Sequence, residues 1–163
     1  MTELRGDIVV LRPLQPEDAP RLREIHVEPA VAAWWGRMDD GFPDDEPEST
    51  RFTIRVGGEI AGMIQYGEES EPKYRHASID LFVAPAHHRQ GVATEAIGLV
   101  VEHLIATLGH HRITIDPAAA NAAAVGCYAK AGFRPVGTLR RAERDSDGAG
   151  WHDILLMELV VEG

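Results

Sequence analysis

Short stretches with strand-like patterning alternate along the chain with stretches in which apolar residues recur at helical spacing. Alternating or β-branched apolar residues predict strands at 8–12, 52–56, 59–66, 77–83, 112–116, 133–139 and 154–161. Helical spacing predicts a long helix over 91–108 and shorter helices after Pro16, after Pro29 and over 121–130. This order, β-α-α-β-β-β-α-β-α-β-β, indicates an α/β fold of the mixed, α+β type. No internal repeat or long linker divides it, so we expect a single domain over 1–163.

Two acidic stretches interrupt this pattern. Residues 39–48 carry six carboxylates among turn-forming glycine and prolines, and 68–71 carry three more. Such composition predicts solvent-exposed, mobile loops. With 16 Lys+Arg against 26 Asp+Glu, the 163-residue chain has a formal charge of −10. That charge disfavours nucleic acid and anionic membranes as partners and favours a cationic small molecule, because negative charge attracts cations.

The chain has one cysteine, Cys127, which excludes an internal disulfide and a Cys-rich zinc site. The pairs His87-His88 and His110-His111 lack metal-ligand spacing, so no metal site is predicted. The first residues lack the pattern of a signal peptide, and no apolar window approaches the roughly 18 residues of a membrane helix. We therefore expect a cytoplasmic protein.

The segment from Pro85 to Thr94 joins the strand at 77–83 to the long helix through a turn that contains Gly91. A strand that leads through glycine into a helix exposes free N–H groups at a positive helix end, where phosphates bind. The same glycine equally suits an ordinary turn. The segment matches neither the Walker A loop nor the GxGxxG dinucleotide loop.

A second segment runs from Asp116-Pro117 through Asn121 to Gly126-Cys127-Tyr128-Ala129-Lys130-Ala131-Gly132-Phe133. Together the two segments resemble the acyl-CoA-binding patterns of the GNAT superfamily of N-acetyltransferases, Q/R-x-x-G-x-G/A and N-x(n)-Y-x-K-x-G-F. The resemblance covers nearly the whole chain. It implies a mixed central sheet of about six to seven strands, flanked by about four helices, in which strands four and five splay apart. Those strands are 77–83 and 112–116.

The resemblance implies acetyl-CoA as co-substrate, with its pantetheine arm in the splay and its pyrophosphate on backbone N–H groups from Gln90 to Thr94. The coenzyme-binding residues so implied are Leu81, Phe82, Val83, His88, Arg89, Gln90, Gly91, Val92, Ala93, Thr94, Asn121, Ala124, Tyr128 and Lys130. His88 stands where the superfamily prefers Arg or Gln. Because backbone donors hold the phosphates there, we expect coenzyme binding to survive, with slight pH dependence as the histidine charges.

The resemblance implies two catalytic candidates in this chain, Tyr128 and Asp80. Tyr128 would be the general acid that protonates the departing thiolate; alternatively it is a core tyrosine whose hydroxyl is satisfied. Asp80 would bind the acceptor ammonium and accept its proton; alternatively it is an acid at a strand bulge, bonded to the backbone. Asp116 would hold another cationic group of the acceptor, or it forms a turn before Pro117. Cys127 reads as an ordinary buried thiol, and we expect direct transfer.

The narrower resemblance is to aminoglycoside 6′-N-acetyltransferases. It rests on Trp34-Trp35-Gly36, Ile79-Asp80, the Asp116-Pro117 step and the stretch around Tyr128. It implies transfer to the 6′-amino group of a polycationic antibiotic, which the acidic loops would attract. Trp34 and Trp35 would stack against a sugar ring of the acceptor, or they are ordinary core residues.

Other functions are consistent with the same residues. Leu11-Arg12-Pro13-Leu14 and 91–96 also resemble ribosomal-protein N-terminal acetyltransferases, and polyamine or siderophore-lysine acyltransferases are further alternatives. From another class, the chain could be an inactive acyl-CoA-binding module, against which the presence of Tyr128 and Asp80 speaks. A monomer and a homodimer are both compatible with the sequence.

Overall fold

One mixed sheet of eight strands runs through the molecule, described here by a computed structural model of residues 2–163. Met1, the first residue of the predicted domain, lies outside the described residues. The strands are β1 (Leu4–Arg5), β2 (Val10–Pro13), β3 (Thr50–Val56), β4 (Glu59–Glu69), β5 (His76–Val83), β6 (Arg112–Ile115), β7 (Arg134–Arg144) and β8 (Trp151–Val160). Their spatial order is β1-β2-β3-β4-β5-β6-β8-β7.

Four α-helices flank this sheet: α1 (Ala19–His26), α2 (Pro29–Trp35), α3 (Val92–Glu102) and α4 (Ala122–Lys130). The long predicted helix over 91–108 is thus α3 followed by a π-helical turn, His103–Thr107. Short 3₁₀ turns precede α1 at Pro16–Asp18 and α3 at Pro85–His87. Among residues 2–163, no helix has both the length and the hydrophobicity needed to cross a bilayer.

The predicted mixed α/β fold is confirmed, with a strand count slightly above the expected six to seven. The additional strand is the two-residue β1, which pairs with β2. Strand β4 also extends through Glu69, so Glu68 and Glu69 belong to a strand and not to a loop. Glu68 there lies 2.6 Å from Nε2 of the buried His110, which ties β4 to the chain that follows α3.

Helices cover both faces of the sheet. Successive side chains of a strand point to opposite faces, so a strand with apolar residues at successive positions needs a helix packed on each side. Ile79 and Leu81 of β5 pack in one apolar cluster with Ile97 and Val100 of α3. Phe82 points to the opposite face, into a second cluster formed largely by α1 and α2. The strand that carries Asp80 is therefore held from both sides, which limits the movement of its backbone.

The sheet opens between β5 and β6, its only parallel pair among the described strands. Pairing is limited to Ala77 with Ile113 and Ser78 with Thr114. Beyond Ser78 the edge of β5 is released from β6, whereas its other edge stays paired with β4 up to Val83. The splay that the resemblance implies is therefore present. It lies between β5 and β6, which are the fourth and fifth strands of the prediction.

Close packing on the β4 side keeps β5 in place at the splay. The register of β3 and β4 shifts beside Gly62, the residue paired with Val83. A side chain at Gly62 would collide with the carbonyl oxygen of Phe82, so only glycine allows β4 to approach so closely here.

Candidate active site

A cleft of about 1150 Å³ lies where β5 and β6 separate. Its walls come from the end of β5, the first turn of α3, the inner face of α4, the end of α2 and the β7–β8 hairpin. Apart from Gln90, the residues predicted for the site all line it: Trp34, Trp35, Asp80, Leu81, Phe82, Val83, His88, Arg89, Gly91, Val92, Ala93, Thr94, Asp116, Asn121, Ala124, Tyr128 and Lys130. The role predicted for Gln90 is that of its backbone N–H, and its side-chain amide donates to the Ala86 carbonyl at 3.3 Å.

The first turn of α3 forms one end of the cleft. Gly91 adopts the left-handed conformation at φ 79° immediately before the helix, and no side chain caps the helix start. The N–H groups of Val92, Ala93 and Thr94 therefore have no acceptor within the helix and face the cleft beside a positive helix end. These donors suit the pyrophosphate of acetyl-CoA, since an anion there gains both hydrogen bonds and the helix dipole.

The open edge of β5 is held by side chains in the place where β6 would pair. Nε1 of Trp35 donates to the carbonyl of Leu81 at 3.0 Å. Nε2 of His88 lies 2.7 Å from the carbonyl of Val83 and must carry the proton, because a carbonyl only accepts. His88 thus contacts the end of β5 through its ring. Each carbonyl keeps a second lone pair for a pantetheine amide.

The two tryptophans differ in their surroundings. Trp35 packs edge-on against Phe82 and His26, with ring centroids 5.1 and 5.8 Å away. Together with its bond to Leu81, this makes Trp35 part of the wall. Trp34 is 42% exposed and lines the cleft, so its ring is the one available to a ligand.

Tyr128 lies on α4, which begins at Asn121. The Asn121 side chain accepts a hydrogen bond from the N–H of Ala124 at 3.2 Å, so it caps the helix. Tyr128 is buried against the main core and lines the cleft, and within residues 2–163 its hydroxyl has no hydrogen-bond partner. Burial and the nearby charge of Asp80 raise the pKa of the Tyr128 phenol, which keeps it protonated.

Asp80 points from β5 into the cleft. Its Oδ1 accepts a hydrogen bond from the N–H of Leu81 at 3.0 Å, so the backbone contact foreseen in the alternative interpretation does form. The residue is nevertheless exposed to the open cleft, while the protein atoms around the carboxylate displace water from it. Burial, followed by the charge of Asp116, raises the pKa of Asp80 to about 7. The group can therefore gain or lose a proton near neutral pH.

Asp116 directly follows β6 and lies on the same cleft. Burial and then the charge of Glu143 raise the pKa of Asp116. Asp80, Asp116 and Glu143 all line the cleft, and these three carboxylates give it a negative wall.

Glu143 and its neighbours were not predicted from the sequence. Glu143 lies near the end of β7 opposite His152 of β8, and Nε2 of His152 is 2.9 Å from a Glu143 oxygen. Asp145 is 2.9 Å from the other ring nitrogen. Residues 140–152 contain no motif, so only the hairpin register could have indicated this cluster.

The acidic stretches are separate from the negative wall, so any attraction that they exert on a polycation acts from outside the cleft. No residue of 39–48 or 68–71 lines the cleft, although the charge of Glu46 contributes to the raised pKa of Asp80. The 39–48 segment is tied to the protein body. Arg51 contacts Asp45 at 2.6 Å, and Arg23 donates to the carbonyl of Phe42 at 2.8 Å.

Cys127 is partly buried on the cleft wall, next to Tyr128. Its Sγ lies 3.4 Å from the Thr94 hydroxyl, which joins α4 to the first turn of α3. Among residues 2–163 no imidazole or carboxylate hydrogen-bonds to this thiol, so it has no base to activate it.

Comparison with known proteins points to one family. The family model described as Acetyltransferase (GNAT) family matches residues 11–133, more than half of the chain. The aminoglycoside N(6′)-acetyltransferases type 1 of Klebsiella pneumoniae and Serratia marcescens are each 27% identical to it over 158 residues, covering 82% of this chain and 78% of theirs.

Solved structures share the architecture. RimJ of Mycobacterium smegmatis, in complex with CoA-disulfide, has a TM-score of 0.83 and 25% identity over 98% of this chain and 86% of its own. Spermidine N-acetyltransferase of Vibrio cholerae, in complex with CoA and spermine, has a TM-score of 0.80 and 19% identity over 95% and 96% of the two chains. Because spermidine N-acetyltransferase is only 19% identical to this chain, its structural similarity supports the fold alone.

Proposed function

The chain belongs to the acetyltransferase (GNAT) family, with acetyl-CoA as co-substrate, and we propose that it transfers the acetyl group directly to the 6′-amine of an aminoglycoside. The observation that carries this proposal is the shared cleft of Asp80 and Tyr128. The two groups are near enough for the charge of Asp80 to raise the pKa of Tyr128. A proton acceptor and a proton donor thus lie at one end of a cleft that suits an acyl-CoA.

The coenzyme supplies the activated thioester when bound. The N–H groups of Val92, Ala93 and Thr94 would hold its pyrophosphate, and the edge of β5 from Leu81 to Val83 would orient its pantetheine arm. Backbone donors held by the helix and sheet need no rearrangement for this task, which favours tight and well-oriented binding.

Asp80 would accept the proton of the incoming ammonium. An amine arrives protonated, with a pKa of about 9–10, and is nucleophilic only after losing that proton. With a pKa of about 7, Asp80 is largely ionised at slightly alkaline pH and is a stronger base than an ordinary carboxylate. Its charge also attracts the ammonium before transfer.

Tyr128 would donate a proton to the departing thiolate. The raised pKa of the phenol ensures that the hydroxyl still carries its proton when the thiolate forms. The hydroxyl makes no protein hydrogen bond within the described chain, so it is available to the sulfur. Because no neighbouring base activates the Cys127 thiol, direct transfer from acetyl-CoA to the amine is the simpler route.

The acceptor end of the cleft favours a polycation. Asp80, Asp116 and Glu143 line it together, and the exposed ring of Trp34 is available to a sugar ring. Aminoglycosides combine several ammonium groups with sugar rings, so they match both features. The aminoglycoside acetyltransferases similar to this chain support the same choice.

Acceptor assays test this proposal. Thiol release from acetyl-CoA would be measured with tobramycin, with spermidine and with peptides that begin with Ser or Ala, and products would be located by mass spectrometry. We expect tobramycin to react fastest and to carry the acetyl group on its 6′-nitrogen. Equal background release with every amine would indicate an inactive acyl-CoA-binding module.

A polyamine acetyltransferase is the second candidate. Three carboxylates on one wall suit a flexible chain of ammonium groups as well as a sugar, and a structural neighbour of this chain was solved with spermine. Faster turnover of spermidine than of tobramycin would favour this candidate. Preference for a peptide would instead indicate N-terminal acetylation.

A further inference from the structure

The end of the β7–β8 hairpin holds a histidine between two carboxylates. Nδ1 of His152 lies 2.9 Å from Asp145 Oδ1, and Nε2 lies 2.9 Å from Glu143 Oε1. A carboxylate only accepts hydrogen bonds, so both ring nitrogens must donate. A neutral imidazole donates from one nitrogen only, and the complete arrangement therefore requires the imidazolium.

The surroundings of His152 favour that charged form. Burial alone would lower the pKa of His152, but the bonds to Asp145 and Glu143 outweigh it and raise the pKa. The neighbouring cation on β7, Arg144, lies over the Trp151 ring at 5.0 Å. On β8, Asp153 accepts from the backbone of Arg141. Asp80 and Asp116 line the same cleft as Glu143, and its charge contributes to the raised pKa of both.

The same histidine braces the loop that crosses the acceptor end. Asp145 donates its N–H to the Gly150 carbonyl and accepts from the N–H of Gly148, at 2.9 and 2.8 Å, which closes the loop into a compact turn. Ser146 of this loop lies beside Gly36 at the end of α2, since a Cβ added to Gly36 would come within 3.9 Å of the Ser146 Cα. Gly36, Asp145 and Ser146 all line the cleft. The loop therefore bridges the two walls of the acceptor end.

We propose that His152 is a positioning residue that holds Glu143 at the acceptor end of the cleft, so that Glu143 selects acceptors with a second ammonium group. The inference rests on the proposed function, acetyl transfer to an amine. Glu143 is exposed and lies at the end of a hairpin, where an unsupported carboxylate would sample many rotamers. A fixed carboxylate loses less entropy when it binds a cation, so bracing by His152 increases discrimination.

A matched pair of acceptors separates the outcomes. The probes are tobramycin, with several amines, and methyl 6-amino-6-deoxy-α-D-glucopyranoside, with one, and the readout is the ratio of their kcat/KM values. We expect Glu143→Gln to lower this ratio about tenfold, the loss expected for one charge-assisted hydrogen bond. His152→Ala should lower it about threefold to tenfold, mainly through KM for tobramycin.

A double-mutant cycle tests whether His152 acts through Glu143. If it does, the variant with both substitutions has the same ratio of kcat/KM values as Glu143→Gln alone, because His152 then has no Glu143 carboxylate to hold in place. Losses that multiply would overturn the positioning role. Asp147→Asn is the matched control, since it removes a charge from the same loop outside the cleft, and it should leave the ratio within about twofold.

Histidine-ring NMR supplies a readout independent of turnover. The His152 ring should titrate at higher pH in the wild-type protein than in Glu143→Gln, and unchanged titration would contradict the bond between them. Acetylation of both probes with an unchanged ratio in Glu143→Gln would overturn this inference alone. Acetylation of neither probe, nor of any other amine, would overturn the proposed function and this inference with it.

Discussion

The two ends of the cleft are built in different ways. At the coenzyme end, donors come from the backbone of consecutive residues, Val92 to Thr94, at the start of one helix. At the acceptor end, the chemistry comes from side chains of separate elements: Trp34 on α2, Asp80 on β5, Asp116 after β6 and Glu143 on β7. The first end depends on local chain conformation, and the second depends on the packing of the whole sheet.

This difference predicts how each end responds to mutation. Side-chain changes at the coenzyme end should matter little unless they disturb the backbone. Changes at the acceptor end should alter charge and proton transfer directly, because in the proposed function the side chain itself is the reactive or binding group there. The following substitutions test that contrast, beginning with the largest expected effect.

Replacing Tyr128 with Phe should cause the largest loss. We expect turnover to fall by about 10²–10⁴-fold, the range for loss of a general acid, while the affinity for acetyl-CoA stays nearly constant. Steady-state kinetics and calorimetric titration with acetyl-CoA would measure the two quantities. Unchanged turnover would mean that water protonates the thiolate. Cys127→Ala, one residue away, is the control and should retain turnover within about twofold if transfer is direct.

Replacing Asp80 with Asn should lower kcat/KM for the acceptor by about 10–10³-fold, because a base and a cation-binding charge are lost together. In the wild-type enzyme, kcat/KM should rise with pH through about 7, as Asp80 loses its proton and becomes able to accept another. The variant should lack this rise. A pH profile identical to that of the wild-type enzyme would exclude Asp80 as the base.

Replacing Gly91 with Ala tests the coenzyme end. Gly91 has φ 79°, a conformation that costs a residue with Cβ roughly 1 kcal/mol. We expect KM for acetyl-CoA to rise about fivefold with little change in kcat, since the strain displaces the phosphate-binding donors. Gln90→Ala is the control next to it. An equal effect of Gln90→Ala would indicate that side chains, and not the backbone, bind the coenzyme.

Replacing Trp35 with Phe should have the smallest effect. The aromatic packing against Phe82 is largely kept, but the hydrogen bond to the Leu81 carbonyl is lost, at a cost of about 1 kcal/mol. Thermal unfolding should shift downward by about 2–4 °C. Acceptor preference, measured as a ratio of kcat/KM values, and stability can both be expressed as free energies. If Trp35→Phe changes the free energy of acceptor preference more than the free energy of unfolding, Trp35 contacts the acceptor and its assignment to the wall is weakened.

Most of the fold could be predicted because its elements follow from nearby residues. The strand with Asp80, the turn at Gly91 and the helix that starts at Asn121 each have signals within a few positions. The residues expected at the coenzyme end came from the resemblance of these same segments to the GNAT patterns. The direction of the Gln90 side chain could not be predicted, because the sequence does not show which way a side chain in a turn will point.

The acceptor end could be predicted only in part. Asp80 and Asp116 were identified through motifs that belong to strands, but Glu143, Asp145 and His152 have no motif and were missed. The sequence predicts that the acidic stretches attract a polycation, because charge density is the signal that it offers. In the structure, arginines bind part of the 39–48 stretch, and Glu68 contacts His110 instead.

The sequence by itself determined the order of elements and the glycine turn before α3, since short-range sterics and hydrogen bonding decide such features. Its resemblance to the GNAT patterns supplied the candidate acid and base. Only the tertiary structure decided which carboxylates share the cleft and what holds its open edge. Trp35 and Leu81 are 46 positions apart, and their contact arises only after α2 has packed on the sheet. Contacts of that range depend on how the whole core is filled, and no local pattern of residues specifies them.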